Sequence, residues 1–267
     1  MTAAPIMPLL PILLAVAARD LFLPVAGHIR DPLHDVRTTV TLRNAARAAV
    51  HATIRFVPTA GTSGPPKSLD VVIPPNASRD VDPFGDDHAL GALHITSDQP
   101  ITANGQIVSP GTSATFDAVS AGDAITTGEA ARLDGFTFTH AATETNRLYV
   151  IETAGDALQY TVILLGADGK VLAQSLGLIH RYEQHSLDLD HTFPTVTSRN
   201  ASLLLRGMNG GGSIIAAAAI TSRANGAITP RQMNVTERRP RGMPAMEKVG
   251  YAAIALFILG AAVRRRR

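Results

Sequence analysis

Two stretches of this 267-residue chain are written on one template, and that repetition limits the folds open to it more than any single motif does. VRTTVTLRNAARAAVHATIRFV (36–57) and TNRLYVIETAGDALQYTVILL (145–165) align at an offset of 108 residues. Val40 meets Leu148, Leu42 meets Val150, and Val50, Ile54 and Phe56 meet Leu158, Val162 and Leu164. Further on, PITANGQIVS (100–109) aligns with SIIAAAAITS (213–222) at an offset of 113, pairing Ile101 with Ile214 and Ile107 with Ile220. The drift of five residues between the two offsets falls in loops.

The period inside each copy is two. Val50, Ala52, Ile54 and Phe56 alternate with His51, Thr53 and Arg55, the pattern of a strand with one buried face. LHITSD (93–98) and SLLLRG (202–207) read as further strands. GADGK (166–170) places Asp-Gly between two apolar runs, a strong hairpin signal, and the longer PTAGTSGPP (58–66) occupies the same place in the first copy. No long stretch away from the termini shows a period of 3.6. Short strands at turn-punctuated spacing predict an all-β chain of two tandem immunoglobulin-like β-sandwich domains, 19–125 and 126–231. Only 4% of residues are aromatic and none is Trp, so the cores must be built from Val, Ile, Leu and Ala.

The ends differ from the body. Ile6–Ala18 is apolar, precedes the first charged side chain at Arg19, and closes on AVAA. This reads as a secretory signal over residues 1–18, cleaved at Ala17 or Ala18. At the other end, a polar linker is expected over 232–247. After it, 248–267 contains an uncharged run, Val249–Val263, followed by Arg264, Arg265, Arg266 and Arg267. The run is shorter than the roughly 20 residues that cross a bilayer comfortably, but flanking basic side chains extend its reach. A transmembrane helix is expected here, with its arginines holding the C-terminus in the cytoplasm and the body outside.

A short motif, an apolar helix and an arginine cluster, in that order, resemble a bacterial C-terminal sorting signal of the PEP-CTERM type. The nearest variant, IPTL-CTERM, carries a motif of the form I-P-T-L-S-E-W-G. In MPAMEKVG (243–250), Pro244 and Gly250 match it and Met243 and Met246 are apolar where it is apolar, while Glu247, Lys248 and Val249 depart from it. The resemblance implies processing by an exosortase-like membrane protease and delivery to the cell surface. The body, with LFLPVAGHIRD, RTTVTLRN and GALHITSDQPITANGQIVS, resembles the tandem β-sandwich modules of bacterial exported proteins.

Charge excludes one class of partner. The formal net charge of +2 rests on 24 basic and 22 acidic residues; without Glu247, Lys248 and the four terminal arginines these become 19 and 21, a net of −2. The body has no basic excess to steer it to nucleic acid. There is no cysteine, so disulfides, thiolate metal sites and cysteine nucleophiles are excluded.

The remaining chemistry is sparse. Neither G-x-S-x-G nor H-E-x-x-H occurs. DVDPFGDDH gathers Asp80, Asp82, Asp86 and Asp87, carboxylates of the kind that bind calcium. HRYEQHSLDLDH places His180, His185 and His191 near Asp188 and Asp190, which share one face of a strand. These six aspartates are the candidate metal ligands; the reading otherwise assigns no catalytic residue, cofactor or metal.

The expected function is that of a non-catalytic protein of the cell surface or extracellular matrix, exported and then anchored or sorted through its C-terminal helix. Its expected partners are the membrane, an exosortase-like protease, surface polysaccharide and other surface proteins. The alternatives are a carbohydrate- or calcium-binding adhesion module and a metal-dependent hydrolase.

Overall fold

The computed structural model describes residues 18–30, 35–62, 67–85, 87–109, 111–224 and 226–238. The protein is all-β and its sheets are antiparallel. Strands β1 (Ala18–Arg30), β2 (Asp35–Arg43), β3 (Val50–Pro58), β4 (Ser68–Ile73), β5 (Ser78–Val81), β6 (Ala89–Ser109), β7 (Thr112–Asp117) and β8 (Val119–Ser120) form the N-terminal half. The C-terminal half contains β9 (Ala130–Phe138), β10 (Glu144–Glu152), β11 (Leu158–Leu165), β12 (Val171–Ile179) and β13 (Gln184–Asp188). It continues with a short helix α1 (Leu189–Thr192), then β14 (Ser198–Gly210), β15 (Ile214–Ser222), β16 (Ile228–Gln232) and β17 (Asn234–Glu237).

The two halves share one strand order. In the C-terminal half the sheets are β12-β11-β14-β9-β17 and β13-β10-β15-β16. In the N-terminal half, β6 takes two roles. Its first part pairs with β3 and β1, and its second part, from Thr102, pairs with β2 and β7. Adding the pairings of β4 with β3, β8 with β1 and β5 with β2 gives β4-β3-β6-β1-β8 and β5-β2-β6-β7, which a further β1–β2 pairing at His28–Arg30, without counterpart in the C-terminal half, joins into one eight-stranded sheet. The registers correspond residue by residue: Ile54 opposes Ile95 as Val162 opposes Leu205, and Leu42 opposes Ala103 as Val150 opposes Ala216.

Each half has its own core, made by the inward residues of its alternating strands. In the N-terminal half Leu21, Leu23, Val40, Leu42, Ile54 and Ile95 meet. In the C-terminal half Leu133, Phe136, Leu148, Val162, Leu203 and Ala216 meet. The hairpin at GADGK closes as expected: Gly169 takes a φ of +77°, and its amide donates to Gly166 O at 2.9 Å.

The halves are joined by an apolar seam. The outer face of β1 presents Phe22 and Val25 to the outer face of the β10–β15 pair, where Tyr149, Ile151, Ile215 and Ala219 lie. Both strands at the seam are therefore buried on two sides, which is why LFLPVAG and IIAAAA are apolar without alternation. Gln184 locks the seam with polar bonds. It is fully buried, its Nε2 donates to Pro24 O at 3.1 Å, its Oε1 accepts from Thr59 Oγ1 at 2.6 Å, and its carbonyl accepts from Ala60 N at 2.7 Å.

Two expectations meet a different structure. Residues 234–237, assigned to a linker beginning at 232, form β17, because pairing with β9 satisfies the backbone of both. NGGGS (209–213), between β14 and β15, is a packed crossing between the two sheets. A Cβ at Gly210 or Gly212 would collide with the carbonyls of Ala157 and Asp156. The strand expected to hold both Asp188 and Asp190 stops at Asp188, whose side chain caps α1 by accepting from His191 N at 3.1 Å.

Ala18 is the first residue of β1, whereas Ala17 and the rest of the expected signal lie outside the described residues. So do the motif at Met243, Pro244, Met246 and Gly250, the expected span at 248–267, and Arg264–Arg267. Among the described residues, no helix is long and apolar enough to cross a membrane.

Candidate functional site

The candidate carboxylates that the structure describes do not converge. Asp80 lies opposite Thr41 in the β5–β2 register and accepts from its hydroxyl at 2.6 Å. Asp82 pairs with Arg37 and accepts the amides of Phe84 and Gly85 at 3.1 and 3.2 Å. Partial burial opposes ionisation of Asp82, but Arg37 and the two amides prevail and hold its carboxyl below the usual range. Asp87 pairs with Lys67, and Asp86 lies outside the described residues.

In the second group, Asp190 accepts from Asn146 N at 2.9 Å and Nδ2 at 3.0 Å, with His140 Nδ1 at 3.4 Å. Asp188 caps α1 and lies 3.9 Å from Arg147. Among the described residues, no three His, Asp or Glu side chains gather as a metal site.

Near His185 the structure holds a chain of polar groups that resembles catalytic machinery on paper. Tyr160 Oη lies 3.1 Å from His185 Nδ1, and His185 Nε2 lies 3.1 Å from Glu183 Oε2. Tyr160 is fully buried, however, and its ring packs against Gly177. Burial raises the Tyr160 phenol further above its ordinary value, the direction opposite to what a nucleophile needs. Glu183 is partly buried, which works against ionisation, but the His180 amide and the His185 ring hold its carboxyl below the usual range. The chain fastens β11 to the turn before β13.

A better candidate lies where the halves join. A cleft of about 500 Å³ opens between β7–β8, the connection at 121–129 and β16–β17. Its size falls in the range of small-molecule sites. One wall is apolar, with Ile125, Ile215, Met233 and Val235. The rim is polar, with Asp117, Asp123, Gln232, Asn234 and Arg238. Arg238 shapes the rim: Nη1 donates to Ala124 O at 3.0 Å, and Nη2 lies 3.3 Å from Asp123 Oδ1. Glu129, almost fully buried, lies 3.9 Å from Arg238 and accepts from Thr126 N at 2.9 Å, bracing the connection from behind.

None of the rim residues stands out in the sequence. Asp117 and Asp123 are isolated acids, and Arg238 sits at the start of a polar arginine-rich stretch that reads as a linker. The cleft exists only because segments more than 100 residues apart meet there.

No protein-family model matches the chain, and no curated protein matches it. Among solved structures, a crystal structure titled Thermotoga maritima 1070 is 17% identical, with a TM-score of 0.32 over 39% of this chain and 94% of that one. A lectin from Pleurotus ostreatus, solved in complex with GalNAc, is 12% identical, with a TM-score of 0.19 over 85% of this chain and 88% of that one. At those TM-scores neither likeness carries an argument about this chain.

Proposed function

We propose that this chain is an exported, non-catalytic surface protein built from two tandem immunoglobulin-like β-sandwich modules, 19–125 and 126–231, with β16–β17 completing the second. The observation that carries this reading is the repeated strand order, joined through an apolar seam that Gln184 locks. Repeated modules with a buried joint extend reach without a hinge, a property suited to an envelope, matrix or adhesion component. Asp188, Asp82 and Asp87, candidate metal ligands in the sequence, serve as a cap, a turn tie and an ion-pair partner, which supports a scaffold. The N-terminal apolar segment supplies export. The C-terminal segment supplies anchoring or sorting, through the exosortase-like protease that the PEP-CTERM resemblance implies.

Expression in a bacterium with an exosortase-like system, followed by intact mass of the surface-exposed protein, tests this. The expected product begins near Arg19 and ends near residue 244. Retention of Arg264–Arg267 would mean a permanent membrane anchor. Full-length protein found only in the cytoplasm would overturn the reading.

The junction cleft favours a second reading, in which the surface protein binds carbohydrate there. Its polar rim offers donors and acceptors beside an apolar wall, the combination a sugar ring uses. A glycan array read with and without a calcium chelator tests it. Binding lost in Asp117→Ala would support the cleft, and binding unchanged by that substitution would exclude it.

A further inference from the structure

The C-terminal half leaves one sheet edge open. β12 ends the order β12-β11-β14-β9-β17 and, among the described residues, pairs with β11 alone. Its sequence, VLAQSLGLI, contains no charge and no proline. Its outward face exposes Leu172 by 41%, Leu176 by 67% and Leu178 by 51%, with Gln174 as the one polar residue among them. Met208 on β14 adds exposed apolar surface to the same sheet. Proteins normally blunt such an edge with charge, proline, a bulge or a cover, because unpaired N–H and C=O groups recruit another strand; β12 has only a register shift at its first end, between Val171 and Ala173, and is regular from Ala173 to Ile179.

The matching edge of the N-terminal half is blunted. β4 has six residues against nine in β12, and it carries Asp70, which accepts from Thr53 at 2.7 Å. Arg79 Nη1 donates to Val72 O at 2.8 Å, occupying an acceptor on β4 itself. The Lys67–Asp87 ion pair stands at its start. One fold plan therefore appears twice in one chain, with its edge guarded once and open once.

We propose that β12 pairs with β12 of a second copy of this chain, antiparallel and centred on Ser175, joining two five-stranded sheets into one. Centring on Ser175 sets Gln174 opposite Leu176 and Leu172 opposite Leu178, with the register shift that β12 carries between Val171 and Ala173 falling at the end of the paired stretch. A two-fold axis perpendicular to the sheet keeps the exposed leucines of both copies on one face, where they cover each other. Charge bears on the direction. Antiparallel pairing brings the turn holding Asp168 and Lys170, ion-paired at 3.0 Å, to the end of the other copy that carries Arg181 and Glu183, so that unlike charges meet. Parallel pairing would set Asp168 against Asp168 and Lys170 against Lys170.

The test uses the purified full chain in a mild detergent. Mass is followed by light scattering from about 1 to 100 µM, a span that reveals micromolar association. The expected result is a dimer that Leu176→Lys converts to monomer with an unchanged circular dichroism spectrum, while Val72→Lys on β4 leaves the dimer intact. The chain has no cysteine, so a single introduced one reports geometry cleanly. Opposed residues in an antiparallel pair stand about 4.5–5.5 Å apart at Cα, within disulfide reach. Ser175→Cys is expected to form a disulfide dimer on mild oxidation. Leu172→Cys and Leu178→Cys preparations are expected to cross-link to each other when mixed. A monomer at every concentration overturns the proposal. So does a dimer that ignores Leu176→Lys, or one in which position 172 cross-links only to 172.

Discussion

Asn44 and Glu152 occupy the same place in the two halves, the end of the second strand, and both are buried. Both hold the turn into the next strand, with opposite polarity. Asn44 mainly donates: its Nδ2 reaches Ala48 O at 2.8 Å, Pro74 O at 3.0 Å and Ile73 O at 3.2 Å, while its Oδ1 accepts from Ala46 N at 2.8 Å. Glu152 only accepts, from the amides of Ala154 at 2.7 Å, Gly155 and Tyr182 at 2.9 Å, and Ser213 at 3.3 Å. One fold plan tolerates two solutions here because the surrounding backbone turns carbonyls inward in one half and amides inward in the other. What is kept is complete satisfaction of the buried groups rather than a residue type.

Breaking this pair should produce the largest effects. Glu152→Ala strips four amides of their acceptor and is expected to cost about 4 kcal/mol, at one to three per orphaned buried group with partial relaxation. Asn44→Ala is expected to cost about 2 kcal/mol, since its hydrogen bonds join neutral groups whereas those of Glu152 go to a carboxylate. Urea denaturation of each variant checks both values. Exchanging the two residues in one chain, as Asn44→Glu with Glu152→Asn, should be worse than Asn44→Ala alone, because a carboxylate at position 44 would face carbonyls. A double exchange that leaves stability unchanged would mean the polarity is not set by the backbone.

The seam comes next. Phe22→Ala should cost about 3 kcal/mol, near the lower end for a buried aromatic, because one side of its cavity lies at a joint that can close up. Gln184→Ala should cost about 2 kcal/mol. Either change should allow the halves to unfold separately, visible as two transitions in calorimetry.

The smallest expected effect is on pH. Asp82 in the N-terminal half and Glu183 in the C-terminal half both ionise more readily folded than unfolded. Their stabilisation is fully present above the ordinary carboxylate range and is lost as pH falls through their depressed folded values. Thermal melts from neutral pH down through that range should show a decline, and Asp82→Asn should flatten part of it.

The strand plan was legible because alternation and repetition are local. The offset of 108 carries Val50, where β3 begins, onto Leu158, where β11 begins. LHITSD and SLLLRG fall in β6 and β14, strands that play the same role in the two halves. The Asp-Gly turn fell where expected because Gly169 alone can take its backbone angle cheaply. The seam was not legible: Thr59 and Gln184 lie 125 residues apart, and nothing in either local sequence marks the bond. The carboxylates misled for the same reason. Whether Asp80 is a ligand or a partner of Thr41 depends on strand register, which composition does not reveal. Asp190 likewise reads as sharing a strand face with Asp188 until the cap at Asp188 ends the strand.

The unbroken path of β6 also bears on how each half opens. β6 is 21 residues long and bonds to four strands, two on each side of the molecule's first core. Loosening either layer of that half strains the same backbone, so its amides should exchange with solvent as one block. The C-terminal half divides the same path at Gly210–Ser213. There one sheet can breathe while the other stays closed, giving the molecule a half that opens all at once beside a half that opens by layers.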